Sequence, residues 1–218
     1  MSARKIKLSK RWRLPHRKHE DYLHEVGFNV VCGLDEVGRG AWAGPLVAAA
    51  VILPRAPKLK TQISNVKRLY GIRDSKLLSA SQREKLAKKI RRSSKVGIGE
   101  VSVKELNKLK LTKATQLAFR RAIRALKIKP DYILSDGFRY VSPTLCRAII
   151  KGDRICSSIA AASIVAKVYR DKLMRKLDKE IKGYNFSSHK GYGTKEHQKS
   201  LKKLGPSSEH RMFYKSLR

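Results

Sequence analysis

The sequence predicts an α/β domain, a mixed β-sheet with helices packed against it. Two long apolar runs come early, joined by glycine-rich chain; helical and strand-like segments then alternate; a long apolar stripe at i+4 steps follows near the end. At 218 residues and 41% hydrophobic composition, the chain suits one ordinary domain with a real core and excludes a disordered tail protein.

The first nineteen residues carry eight Lys/Arg and no acid, with no apolar stretch behind them that would make a secretory signal. They read as a flexible basic arm, taken to residue 21, with ordered structure starting near Val26. Residues 29–34 read as a buried strand and 46–53 as a second, with Gly38, Gly40, Gly44 and Pro45 punctuating the connection. Ser79 or Ser81 caps a helix running through Ile90, and residues 96–103 look strand-like. Residues 112–126 form a helix ended by Lys129-Pro130, and two short apolar runs follow at 132–134 and 145–150. Val165, Tyr169, Leu173, Leu177 and Ile181 then mark a helix facing a core, and its small first turns, Ala160 to Ser163, permit close packing on a sheet. Beyond Gly183 the chain turns polar, with a short helix at 195–204.

Fifty-one Lys+Arg against 17 Asp+Glu give a net charge of +34, which points to a polyanionic partner, most simply nucleic acid, and to strong salt dependence. Charge alone does not separate an enzyme from a binder. Three cysteines (Cys32, Cys146, Cys156) without CxxC spacing argue against a disulfide framework or zinc site and read as small core residues. The longest weakly polar run, residues 41–53, is too short to span a bilayer. A cytoplasmic, reduced monomer without membrane association is expected.

In so basic a chain the acids are informative. Asp35 and Glu36 end the first apolar strand, Asp136 ends the run at 132–135, and Asp153 follows the run at 145–152; each sits beside glycine. If those ends converge, the carboxylates repel one another unless cations lie between them. Hard oxygen donors with few imidazoles select Mg²⁺ or Mn²⁺ over zinc, and a pair of such ions suits phosphodiester hydrolysis. The alternative is plain turn chemistry, since Asp is common where strands end. Position in the sequence leaves both readings open.

The segments Gly33-Leu34-Asp35-Glu36-Val37-Gly38-Arg39-Gly40 with Ala43-Gly44-Pro45-Leu46, Asp74-Ser75-Lys76-Leu77-Leu78-Ser79, Leu134-Ser135-Asp136-Gly137, Lys151-Gly152-Asp153, residues 161–171, and His189-Lys190-Gly191-Tyr192-Gly193-Thr194 are six ordered blocks, and His210-Arg211 follows them. In order and spacing, from about residue 22 to 213, they resemble the bacterial type 2 ribonuclease H (ribonuclease HII) family. The resemblance implies a ribonuclease H-like catalytic domain over 22–184 and a short helical C-terminal segment over 185–218 packed on it. It implies two-metal hydrolysis, with Mn²⁺ or Mg²⁺, on the 5′ side of a ribonucleotide in an RNA/DNA hybrid or in a DNA duplex containing ribonucleotides, leaving 3′-hydroxyl and 5′-phosphate ends. Carried over by motif, the metal-binding and catalytic acids are Asp35, Glu36, Asp136 and Asp153.

The resemblance further implies that Gly38-Arg39-Gly40 reads the 2′-hydroxyl, the sugar group that separates RNA from DNA, while the Tyr192 ring packs on the neighbouring deoxyribose. Taken alone, these are a tight turn and a half-buried aromatic. Lys76, Ser163 and Lys167 are candidates for phosphate contact, the last two sharing a helix face at i+4. His189 and Lys190 are weaker candidates for assisting near the metals. Trp12 lies in the arm, and Trp42, just after the GRG segment, is expected to border the substrate groove. One departure stands out: where the family carries an Asn-Ile pair, this chain has Lys110-Leu111, with Asn107 nearby. Two other functions fit parts of the chain. A non-catalytic nucleic-acid binder explains the charge but not four carboxylates at strand ends, and a carboxylate-dependent exonuclease on a related fold would need a free end.

Overall fold

The computed structural model describes residues 15–55, 72, 78–138, 140–214 and 217. Within them, α1 (Lys18–Glu25), β1 (Val31–Val37), β2 (Leu46–Ile52), α2 (Ala80–Ser93), β3 (Lys95–Val101), α3 (Val103–Ala125), β4 (Tyr132–Asp136) and β5 (Leu145–Ile149) come first. A 3₁₀ turn (Gly152–Arg154), α4 (Ser157–Glu180), α5 (Phe186–His189) and α6 (Lys195–Leu204) follow. The five strands form one mixed sheet in the order β3-β2-β1-β4-β5. β1 pairs antiparallel with β2 and parallel with β4; β2 and β3 are antiparallel, β4 and β5 parallel.

Both faces of the sheet are covered, which is why β2 reads as an unbroken apolar run rather than an alternating one. Leu46, Ala48 and Ala50 face α3, packing with Leu106, Ala118 and Phe119. Val47, Ala49 and Val51 face the other way, onto α4 and the Leu86, Ala87 and Ile90 stripe of α2. The buried alanines Ala160, Ala161 and Ala162 let α4 lie close to the strands. Gly33 completes that approach, since a Cβ there would stand 2.2 Å from the Ser158 carbonyl carbon. Gly33→Ala is therefore expected to cost about 2 kcal/mol through forced separation of helix and sheet; a guanidinium unfolding midpoint equal to wild type would show that the seat has slack.

Several boundaries differ from expectation. β1 runs on through Asp35, Glu36 and Val37, because β2 supplies ladder partners up to Val37↔Val47. Helix α3 starts nine residues before Thr112, at Val103, under a capping box in which Ser102 and Glu105 bond each other's backbone. The helix is interrupted at Lys110, whose φ of 60° breaks the right-handed run, so the expected helix is its second half. Lys110 Nζ lies 5.7 Å from the centre of the Phe213 ring, and Asn107 donates to the His210 carbonyl. Ordered structure also begins before Val26. In α1, Leu23 and Glu20 are buried, and the Glu20 carboxylate accepts from the Ser158 amide at 2.7 Å, a negative charge at the start of α4. Residues 1–14 of the expected arm, Trp12 among them, lie outside the described residues.

The α4 stripe serves two cores. Val165, Tyr169 and Leu173 pack with the sheet side, whereas Leu177 and Ile181 pack with Ala43, Met174, Tyr184 and Phe186 of the C-terminal segment. The helix expected at 195–204 is α6, capped by the Thr194 hydroxyl. Among the described residues no helix is long and apolar enough to cross a membrane.

Candidate active site

The four acids reach one cleft by different routes. Asp35 and Glu36 are consecutive on β1, so their side chains leave on opposite faces. Asp35 stands beside Ala49, on the α4 side; Glu36 stands beside Ala48, on the α3 side. Parallel pairing sets Leu34 beside Ser135, which brings Asp136 to the sheet end next to Asp35, on the face that Leu134 shares with Ile159 of α4. Asp153 rides on the 3₁₀ turn after β5. The Gly152 amide donates to Asp136 Oδ1 at 2.7 Å and draws that turn against β4. Because these elements end at one edge of the sheet, an open cleft of about 410 Å³ is lined by Asp35, Glu36, Asp136 and Asp153 together with Gly38, Arg39, Gly40, Ser163, Lys167 and Tyr192.

The acids are held under electrostatic load. Asp35 is buried, and burial followed by the charges of Glu36 and Asp136 pushes its pKa well up, against a hydrogen bond from the Ser163 hydroxyl. Burial raises Glu36 to about 7, with Arg39 opposing and Asp136 adding to the shift. Arg39 Nη1 lies 3.5 Å from Glu36 Oε1, while Glu36 Oε2 is buried without a hydrogen-bond partner. Among the described residues no three His, Cys, Asp or Glu side chains are already arranged to cage an ion. The donor set still fits hard divalent cations: all-oxygen donors, one of them an orphaned buried atom, in carboxylates whose mutual repulsion a cation relieves.

The sign of the Glu36 shift sets a pH dependence. Its folded pKa of about 7 exceeds the ordinary 4.5, so its contribution to stability is complete at low pH and is lost as pH rises from about 4.5 through 7. In chelator, Glu36→Gln is expected to gain on wild type by up to about 3 kcal/mol between pH 4.5 and pH 8. Denaturant melts of both proteins across that range check this; parallel curves would remove the load from Glu36.

The GRG turn and Tyr192 are built from below. Gly38 has φ +90°, and a Cβ there would stand 2.3 Å from Arg170 Nε, so both conformation and space call for glycine. Arg170 of α4 is fully buried. It donates from Nε to Pro45 O (2.9 Å), from Nη1 to Lys190 O (2.9 Å) and from Nη2 to Ala43 O (3.1 Å). Its guanidinium carbon lies 5.7 Å from the Tyr192 ring centre. One cation thus ties the chain after the GRG turn to the loop carrying Tyr192. Arg39 itself lies over Phe138 at 5.0 Å.

Ten of the eleven expected site residues line this cleft. Lys76 lies outside the described residues. Ser163 and Lys167 do share a face, and Lys167 Nζ pairs with Asp171 Oδ1 at 2.7 Å. Other expectations fail. His189 is buried away from the acids, its Nε2 bonded to Tyr184 O at 2.7 Å and its ring stacked on His197. Trp42 lines a separate hollow of about 570 Å³ with Gln198, Leu201, Lys202, Pro206 and Leu217, because its ring packs over Gly193 and His197 of the C-terminal segment. Arg83 also lines the cleft, and Arg170 and Arg211 are buried beside it; among 51 basic residues nothing local marks a cation destined for burial or for the cleft lining.

The family model described as Ribonuclease HII matches residues 32–217. A protein named Ribonuclease HII from Cutibacterium acnes is 46% identical over 202 residues, covering 92% of this chain and 95% of that one. Another of that name from Cereibacter sphaeroides is 44% identical over 206 residues, covering 92% and 91%. A chain in the solved PCNA:RNase HII complex from Archaeoglobus fulgidus superposes with TM-score 0.69 at 26% identity, covering 86% of this chain and 96% of that one.

Proposed function

Since the chain belongs to the ribonuclease HII family, and so to the ribonuclease H endonucleases that act on RNA/DNA hybrids and ribonucleotide-bearing duplexes, we propose that it cuts immediately 5′ of a ribonucleotide, leaving 3′-hydroxyl and 5′-phosphate ends. The observation that carries this is the convergence of Asp35, Glu36, Asp136 and Asp153 on one cleft that Gly38-Arg39-Gly40 and Tyr192 also line. We assign the four acids as holders of two divalent cations, Mg²⁺ or Mn²⁺. When bound, these supply an activated water and charge stabilisation at the leaving 3′-oxygen.

The protein's own groups do the rest. Gly38 seats the turn on Arg170, and Gly40, with open space where a Cβ would stand, leaves the main chain accessible to a sugar 2′-hydroxyl, the one sugar group able both to donate and to accept. Tyr192 packs against the deoxyribose on the far side of the ribonucleotide, favouring an RNA-to-DNA junction. Ser163, Lys167 and Lys76 hold backbone phosphates, and Lys167 is oriented for it by Asp171. The basic arm and surface add sequence-independent affinity. We place the enzyme in the cytoplasm as a monomer.

The test is a DNA duplex with one internal ribonucleotide, incubated with Mg²⁺, Mn²⁺ or chelator beside an all-DNA duplex. A metal-dependent cut directly 5′ of the ribonucleotide, absent from the all-DNA control, is the expected result. Cleavage confined to long hybrids would retain the acids and remove the GRG–Tyr192 reading. Tight binding without any cut would leave a nucleic-acid binder.

A further inference from the structure

His210 and Arg211 are neighbours in sequence, and each takes hold of one half of the sugar-reading wall. The segment carrying them adds a short antiparallel edge to the chain after the GRG turn: Gly44 N–H donates to Glu209 O at 2.9 Å and Arg211 N–H to Trp42 O at 2.8 Å. Arg211 is fully buried, and four backbone carbonyls share its guanidinium. Nη1 donates to Gly38 O (2.5 Å) and Arg39 O (3.2 Å), Nη2 to Gly44 O (2.8 Å) and Pro45 O (3.1 Å), and Nε also to Gly44 O (2.9 Å). Burial and the adjacent Arg170 lower its pKa to about 10, so it remains charged at neutral pH. Tyr214 adds a hydroxyl bond to Arg39 O.

His210 reaches the other half through a chain of fixed tautomers. Its Nδ1 accepts from the Ser207 amide at 2.9 Å, which leaves the ring proton on Nε2. That proton is donated to His197 Nε2 at 3.0 Å. His197 must then carry its own proton on Nδ1, and it donates to the Tyr192 carbonyl at 3.0 Å. The rings of His189, Phe186 and Trp42 enclose His197, and Tyr184 and Phe186 flank His210.

We infer that Arg211 and the His210–His197 pair are positioning residues for ribonucleotide recognition, setting the GRG turn and Tyr192 at a fixed separation through one peptide unit. The inference rests on the reading that GRG and Tyr192 recognise the sugars at the junction. Neither group touches the substrate. Lysine cannot replace Arg211, because a single ammonium cannot span four carbonyls in the plane of a guanidinium.

The test compares kcat/KM on a duplex with one embedded ribonucleotide and on a uniform RNA/DNA hybrid. In the hybrid the sugar on the far side of the ribonucleotide at the cut is another ribose, so packing of Tyr192 on deoxyribose contributes nothing there. The ratio of the two values is unaffected by how much of a preparation is folded, so simple destabilisation leaves it unchanged. Arg211→Lys and His197→Ala are expected to lower the ratio about tenfold or more, an interaction of about 1.4 kcal/mol. His197→Asn, which keeps a donor near the Nδ1 position, should restore most of it. Tyr192→Ala is the reference. If it lowers the ratio while Arg211→Lys and His197→Ala do not, the positioning role is overturned and the sugar reading stands. If Tyr192→Ala leaves the ratio unchanged, the sugar reading falls and the positioning role with it.

Discussion

Asp136→Asn is expected to reduce cleavage of a ribonucleotide-containing duplex by about 10³-fold or more, the loss of about 4 kcal/mol of transition-state stabilisation, while binding of the same duplex in chelator changes little. Asn keeps the shape and can still accept the Gly152 amide that binds Asp136 Oδ1 at 2.7 Å, so the 3₁₀ turn bearing Asp153 stays in place. What disappears is one negative charge from a group in which Asp35 and Glu36 already feel the Asp136 carboxylate. Two consequences therefore separate. Affinity for divalent cations falls, and cleavage with it. The carboxylates of Asp35 and Glu36 lose a repulsive neighbour, so the metal-free protein holds its melting temperature or gains slightly. Single-turnover cleavage, duplex binding by anisotropy and thermal melts of the same preparation check all three. Equal loss of cleavage and binding would contradict a metal-holding role for Asp136.

Arg170→Met is expected to destabilise the protein by about 3 kcal/mol, lowering its melting temperature by roughly 6–12 °C. Methionine fills much of the same volume, but the carbonyls of Ala43, Pro45 and Lys190 lose their donor inside the fold. Removing a desolvated charge offsets part of that loss; Asp171 and Tyr192 are the groups that favour the charge where it stands. The surviving folded enzyme is expected to cut the single-ribonucleotide duplex more slowly, since Arg170 fills the space beneath Gly38 and Tyr192. An unchanged melting temperature would mean that water or a shifted loop satisfies those carbonyls, and that the chain after the GRG turn and the Tyr192 loop are joined elsewhere.

Those two residues mark the divide between local and distant information. Asp136 was conspicuous along the chain because a lone carboxylate ending an apolar run beside glycine is an unusual pattern in a protein with a net charge of +34. Helix α6 and the buried small residues of α4 were equally visible, since periodicity and side-chain size act over a few turns. The start of α3 was visible too, in the Ser102–Glu105 capping box, but the pattern of residues 96–103 drew Val103 into the preceding strand. Arg170 and Arg211 carried no such mark. A buried arginine looks like any surface arginine until the carbonyls that hold it are known, and those of Arg211 lie more than 160 residues away.

Residue order and chemistry were enough for the fold class, for the polyanionic partner and for the four acids as candidates, because composition, alternation and strand-end carboxylates are local properties. Whether those acids meet was a matter of register: parallel pairing of β1 with β4 sets Asp136 beside Asp35, residues that lie about a hundred positions apart in the chain. The same holds for the support beneath the GRG turn and Tyr192. It comes from burial of two cations and a histidine relay, which depend on how distant segments desolvate one another. Desolvation is a property of the packed whole, so no window of sequence contains it.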